Sequence, residues 1–138
     1  MIVVKDRVVD IFSAIQNKII WEKENYGQTF WSYKLPRQIG VTTFLKSFAT
    51  EKARNGTVLF LTYNTDTAKR IQSEFIKEKL VTPNILTSSV QSYMNRKYDG
   101  VNVEWIICDN IMYSNVTLDM LKKKTQAKNI NVLCIDTV

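Results

Sequence analysis

Three stretches of this chain, TVLFLTY (57 to 63), VEWIICD (103 to 109) and NVLCID (131 to 136), are apolar almost from end to end. Each has the length of a strand, and each reads as one covered on both faces, as in a parallel sheet. A strand without a polar face cannot border water, so layers of helix are required above and below it. The intervening segments supply them. Val8, Phe12, Ile15 and Ile19 recur at helical spacing, with Ile11 and Ile20 beside them, which predicts a helix from about Lys5 to Lys23 that stops before Gly27. Phe44, Leu45, Phe48, Ala49 and Ala53 form a second helical face, closed by Asn55-Gly56. Ala68, Ile71, Phe75 and Ile76 form a third, capped within Asn64 to Asp66 and broken by Pro83.

TFWSYKL (29 to 35) and NILTS (84 to 88) read as two further strands. Residues 90 to 96 suit a helical turn or two, and Thr117 can cap a helix through Lys124. Strands alternating with helices predict an α/β fold with a parallel central sheet and right-handed crossovers. With no repeat or Pro/Gly-rich linker, residues 1–138 read as one domain, with 1–27 a helical extension and 28–138 the core. Ligands of such sheets sit beyond the carboxyl ends of the strands, where strand order switches.

Composition narrows the chemistry. The chain has no histidine and two cysteines, which argues against Ser-His or Cys-His nucleophiles and against a zinc site. Cys108 and Cys134 lie inside apolar runs and read as buried, reduced thiols in preference to the disulfide that their spacing also allows. No apolar run approaches the roughly 18 residues of a membrane span. Charges interrupt the opening MIVVKDRVVD, so it does not read as a secretory leader, and a cytoplasmic protein is expected. The net charge of +6 suits an anionic partner such as nucleic acid, or else a solvated lysine-rich surface.

Two motifs fall at the carboxyl ends of strands. LPRQIGVTT (35 to 43) sits between a strand and an amphipathic helix, where a phosphate-binding loop aims backbone N–H groups and the helix dipole at an anion. Gly40 permits close backbone approach, and Thr42 stands where a hydroxyl would reach magnesium. The consensus is otherwise unmet: Leu35 replaces the first glycine and Val41 the lysine. The second motif, EWIICDN, ends an apolar strand in Asp109, the usual way of holding magnesium beside a nucleotide. Asn110 follows it. Asparagine can orient a water but cannot take its proton, which removes a general-base contribution of about 10²–10⁴-fold.

In order, these parts resemble the ATPase domain of phage DNA-packaging terminase large subunits and, less closely, the first RecA-like domain of helicases. Terminase loops often read R-Q-x-G-K-[ST]-T, and Arg37-Gln38-Ile39-Gly40-Val41-Thr42-Thr43 matches every specified place except the lysine. GTVLFLTYNTDTAKRIQSEF (56 to 75) and ILTSSVQSYMNRKYDGVNVEWIICDN (85 to 110) are similar to the next elements of both families, and NVLCIDTV to the strand after. In that strand Asp136-Thr137 would occupy the position that couples hydrolysis to movement. The resemblance spans residues 28 to 138 and implies a three-layer αβα, P-loop NTPase-like domain of phage origin.

It also implies nucleotide contacts from Arg37, Gln38, Gly40, Thr42 and Thr43, and magnesium held by Thr42 and Asp109, so that ATP with magnesium is the implied cofactor, either weakly held or absent. With the lysine and glutamate both missing, no catalytic residue is assigned. The resulting expectation is a pseudo-ATPase in the host-cell cytoplasm that binds nucleic acid or a phage packaging or replication protein. The alternatives are an active packaging or helicase-like subunit completed in trans and a plain interaction domain with a vestigial site. Lys34 or Arg37 could substitute for the missing cation, Arg37 through its planar fork. Restoring the pair, Val41→Lys with Asn110→Glu, is expected to raise nucleotide affinity. Lys122, Lys123, Lys124, Arg96 and Lys97 are candidate nucleic-acid contacts. Tyr93 and Tyr98 either stack on bases or pack in the core, and Trp31 is either core or a wall beside adenine.

Overall fold

A computed structural model describes residues 2–78 and 84–138, with side chains of the first helix from Ile11 onward. Pro83 and the Val8 side chain lie outside the described residues. The elements, in chain order, are α1 (Ile2–Tyr26), β1 (Phe30–Leu35), α2 (Val41–Lys52), β2 (Val58–Thr62), α3 (Thr65–Lys77), β3 (Ile85–Ser89), α4 (Val90–Met94), β4 (Trp105–Asp109), a 3₁₀ turn at Ile111–Tyr113, α5 (Leu118–Gln126) and β5 (Asn131–Thr137). The five strands form one sheet in the order β1-β5-β4-β2-β3, and every pairing is parallel. This is an α/β, three-layer arrangement of the P-loop type.

Local chemistry accounts for most boundaries. Gly27 takes the left-handed conformation (φ 63°) and its N–H donates to the Lys23 carbonyl, ending α1 three residues later than the apolar spacing indicated. Asn64 caps α3 by accepting from the Thr67 amide at 2.7 Å, and Thr117 caps α5 by accepting from Met120 at 3.2 Å. The short 3₁₀ turn after β4 has no counterpart in the sequence reading, because three residues carry no periodicity.

Topology explains the two cores. The chain runs from β1 to β2 to β3 toward one edge, then back through β4 to β5, so right-handed crossovers send the connecting helices to opposite faces. One face is packed by α1, α2 and α3: Ile15, Ile19, Phe44, Leu45, Phe48, Ile71 and Phe75 meet Trp31, Phe60, Trp105, Ile107 and Leu133. The other is packed by α4 and α5, with Tyr93 and Leu121 against Leu61, Ile106, Val132 and the cysteines. Phe12 of α1 stacks on Phe44 of α2, with ring centroids 4.5 Å apart. Alternate residues of β4 feed alternate faces, and all five are buried. Trp31 is core, stacked on Trp105 at 5.9 Å, and forms no wall of a ligand site.

Tyr93 is buried too, and burial, helped by Asp99, pushes its phenol up to about 12, so it is not available to stack on bases. Tyr98 is half-buried against the same core. Cys108 and Cys134 are both free and buried, opposite each other in the β4–β5 register. Burial, together with the neighbouring Cys134, holds the Cys108 thiol well above its ordinary pKa.

One charged group crosses the first core. Lys46 of α2 is only 4% exposed, with its ammonium 3.0 Å from Glu74 and 2.7 Å from Glu78. Burial pulls the ammonium's pKa down, but hydrogen bonds to Glu78 and Glu74 outweigh it and the pKa is raised. For Glu74, burial is outweighed by Lys46 and Arg70, and its pKa is lowered. The Glu74 contribution to stability is therefore full above its unfolded pKa and lost as pH falls through the folded value. The Lys46 contribution is full below its unfolded pKa and lost as pH rises through its folded value. Replacing both acids, Glu74→Gln with Glu78→Gln, strands the ammonium. Urea denaturation at neutral pH should show a loss of about 1–3 kcal/mol, reduced from the fully buried case because the carboxylates are partly solvated. Lys46→Met should cost less, since it removes the buried charge together with its partners' role.

Candidate functional site

The strand ends converge on a cleft of about 610 Å³, lined by Arg37, Gln38, Gly40, Val41, Thr42 and Thr43 from the β1–α2 loop, and by Tyr63, Asn110, Tyr113 and Thr137 from the ends of β2, β4 and β5. That volume falls within the range of small-molecule sites, roughly 300–1,000 Å³. Its position follows from topology: the segments leaving β1 and β4 depart to opposite faces and open a crevice above β5.

The loop is shaped by left-handed residues at Gln38 (φ 63°) and Gly40 (φ 89°), which turn the chain from strand into helix within five residues. Space around Gly40 is open, so glycine is needed there for its backbone angle and not to avoid a clash. Gly40 is the N-cap of α2 and has no side chain with which to cap that helix. The first-turn amides, with the positive end of a 12-residue helix behind them, therefore face the cleft without a capping group.

Thr42 lies in that first turn and donates its hydroxyl to Asp109 Oδ2 at 2.8 Å, joining the loop motif to the end of β4 across 67 residues of sequence. Asp109 is 5% exposed, and its other oxygen, Oδ1, is buried with no partner among the described residues. Burial raises the Asp109 pKa; the Thr42 hydroxyl and Arg70 oppose the shift, while Asp136 and Glu74 add to it. Magnesium takes oxygen ligands and keeps several waters, binding through one or two carboxylates and a ligand's phosphates. One hydroxyl and an under-used carboxylate beside a positive helix end fit that donor set. Thr42 and Asp109 would hold the ion, which when bound would neutralise phosphate charge.

Val41, at the lysine position, is 4% exposed and packs into the first core while touching the cleft wall. Lys34 is exposed on β1, on the sheet face opposite α2, where it lies opposite Asp136 in register. Alternation along the strand points it away from the α2 amides, so it cannot replace the lysine. Arg37 does reach the cleft, and its Nη2 donates to the Tyr113 hydroxyl at 2.7 Å.

Asn110 has a role of its own. It takes the left-handed conformation (φ 59°), which asparagine tolerates, and its Oδ1 accepts from the Thr137 amide at 2.6 Å and the Thr137 hydroxyl at 3.0 Å. It locks the ends of β4 and β5 together. Asp136 points to the other face, where its Oδ1 accepts from the Met112 amide at 3.3 Å. Of the Asp136-Thr137 pair, only Thr137 lines the cleft.

Sequence reasoning missed Tyr63 and Tyr113, whose rings meet edge to face at 5.8 Å. Tyr63 carried a signal, as the last residue of an apolar strand run; Tyr113, in an aperiodic turn, carried none. The basic candidates gather elsewhere. Arg96 and Lys124 converge on Asp99 at 3.9 and 3.3 Å, and Lys123 pairs with Asp119 at 3.7 Å. Lys97 lies over the Tyr98 ring and Lys122 over Phe30. They occupy the α4–α5 side and do not reach the cleft. No known protein-family model matches the chain, and no curated protein matches it either.

Two outcomes follow from the burial of Asp109 and the backbone at Asn110. Asp109→Asn removes a desolvated charge and should stabilise the chain by about 1 kcal/mol at neutral pH. Because the folded pKa is raised, the ionised carboxylate weakens the fold above that value. The gain should therefore shrink as pH falls toward the unfolded pKa, as denaturation across a pH series would record. Asn110→Ala should cost about 1–2 kcal/mol, from the lost Thr137 bonds and the left-handed backbone, and Asn110→Asp less. Asn110→Glu meets the same backbone penalty, and Val41→Lys buries a cation, so the pair expected to restore affinity costs stability at both positions.

Proposed function

We propose that the cleft binds the phosphates of a nucleotide, with magnesium, and does not turn it over. The observation that carries this reading is the 2.8 Å bond from Thr42 to Asp109 at the uncapped start of α2. It brings together the two residues that the terminase and helicase resemblance assigns to the metal, from segments far apart in sequence. The groups needed for turnover are not beside it: Val41 replaces the cation, and Asn110 uses its oxygen on Thr137. On this reading the chain is a terminase-like pseudo-ATPase, a binding or regulatory module that works with nucleic acid or a packaging or replication protein.

The test is titration of the whole chain with a fluorescent ATP analogue and magnesium, alongside a turnover assay with and without DNA. Saturable binding is expected, weakened at least tenfold by Thr42→Ala, with no turnover in either condition. Absence of saturable binding would remove the nucleotide from the proposal. Turnover abolished by Asp109→Ala would replace it with an active enzyme.

A further inference from the structure

We infer that Tyr113 is a positioning residue that holds the Arg37 guanidinium at the mouth of the cleft for an anionic ligand, an inference that rests on the phosphate-binding reading above. Arg37 is exposed on a loop, and a free arginine there would lose considerable rotamer entropy on meeting a ligand. Its Nη2 instead already donates to Tyr113 Oη at 2.7 Å. The same hydroxyl donates its proton to the Thr137 carbonyl at 3.2 Å, which leaves its lone pairs for the guanidinium.

The phenol is itself fixed. Tyr63 packs edge-on against its ring, and the turn that carries it is tied down by the Met112 amide on Asp136 and by Asn110 on Thr137. Residues from the ends of β1, β2, β4 and β5 thus share one network, and Arg37 is its cationic end.

The identity of the partner decides what the network is for. A carboxylate would orient Arg37 and also neutralise it. Among the described residues no carboxylate lies within ion-pair distance of Arg37. A neutral hydroxyl orients the group and leaves its charge uncompensated. Among the described residues one of its five N–H donors is engaged, so the fork can still take a phosphate without releasing Tyr113. Preorganisation of this kind improves affinity by removing an ordering cost before binding.

The experiment uses the whole chain, inorganic pyrophosphate with magnesium as probe, and ¹⁵N NMR of the arginine side chains. Tyr113→Phe should weaken pyrophosphate binding about 5–10-fold; half-exposed, the ring should keep its place without the hydroxyl. In an Arg37→Ala background the same change should have no further effect. In the ligand-free wild type, the Arg37 guanidinium resonances should show slow rotation, averaged in Tyr113→Phe. Wild-type affinity in Tyr113→Phe, tighter binding, an equal loss in the Arg37→Ala background, or an already averaged wild-type guanidinium would each overturn the inference alone. Absence of saturable binding to the wild type would remove the phosphate-binding reading and this inference with it.

Discussion

Everything in this molecule depends on β4 being buried on both faces. Trp105, Ile107 and Asp109 look toward α2, while Ile106 and Cys108 look toward α4 and α5, and no residue of the strand meets bulk water. A parallel strand so placed needs neighbours on both sides for its backbone and helices on both faces for its side chains. Those helices must cross over in one hand, which sends α2 and α5 to opposite faces and opens the crevice at the strands' carboxyl ends. The site is a consequence of how the core is closed.

The polar groups lining that crevice, and the buried Asp109 bonded to one of them, divide their work unevenly. Thr42 and Asp109 are joined by one hydrogen bond, and the carboxylate's other oxygen is buried with no partner among the described residues. Asn110 and Thr137 satisfy each other and act as a clasp. Asn110, which the terminase and helicase resemblance would make a lost general base, is here a left-handed backbone position whose side chain ties two strand ends together. The site thus pairs a loop-to-strand bond at Thr42 with a strand-to-strand tie at Asn110.

The fold was largely legible because its signals are local. The apolar runs ending at Tyr63, Asp109 and Asp136 can only be doubly covered strands, and the caps at Asn64 and Thr117 announce their helices in a few residues. Thr42 and Asp109 were legible as candidates for a related reason: each stands at a strand–helix or strand–turn junction where the backbone pattern dictates a polar group. Tyr63 and Tyr113 were not. Tyrosine at a strand end or in a turn is equally suited to core, surface or site, and only the meeting of β2 and β4 beneath them gives the pair a place. The pairing of the basic residues was not legible either, since a charge run shows its count in sequence but not the Asp99 carboxylate that gathers Lys124 and Arg96.

The sequence alone determined the layers, the alternation of strands and helices, and the glycine turn that starts α2, because periodicity, capping and backbone angle are properties of neighbouring residues. The tertiary structure decided which strand ends meet. It placed Thr42 on Asp109, sent Lys34 to the sheet face away from α2, and gave Arg37 a neutral partner in Tyr113. Those outcomes depend on strand order and on the side of the sheet each residue takes, and both are set by long-range packing.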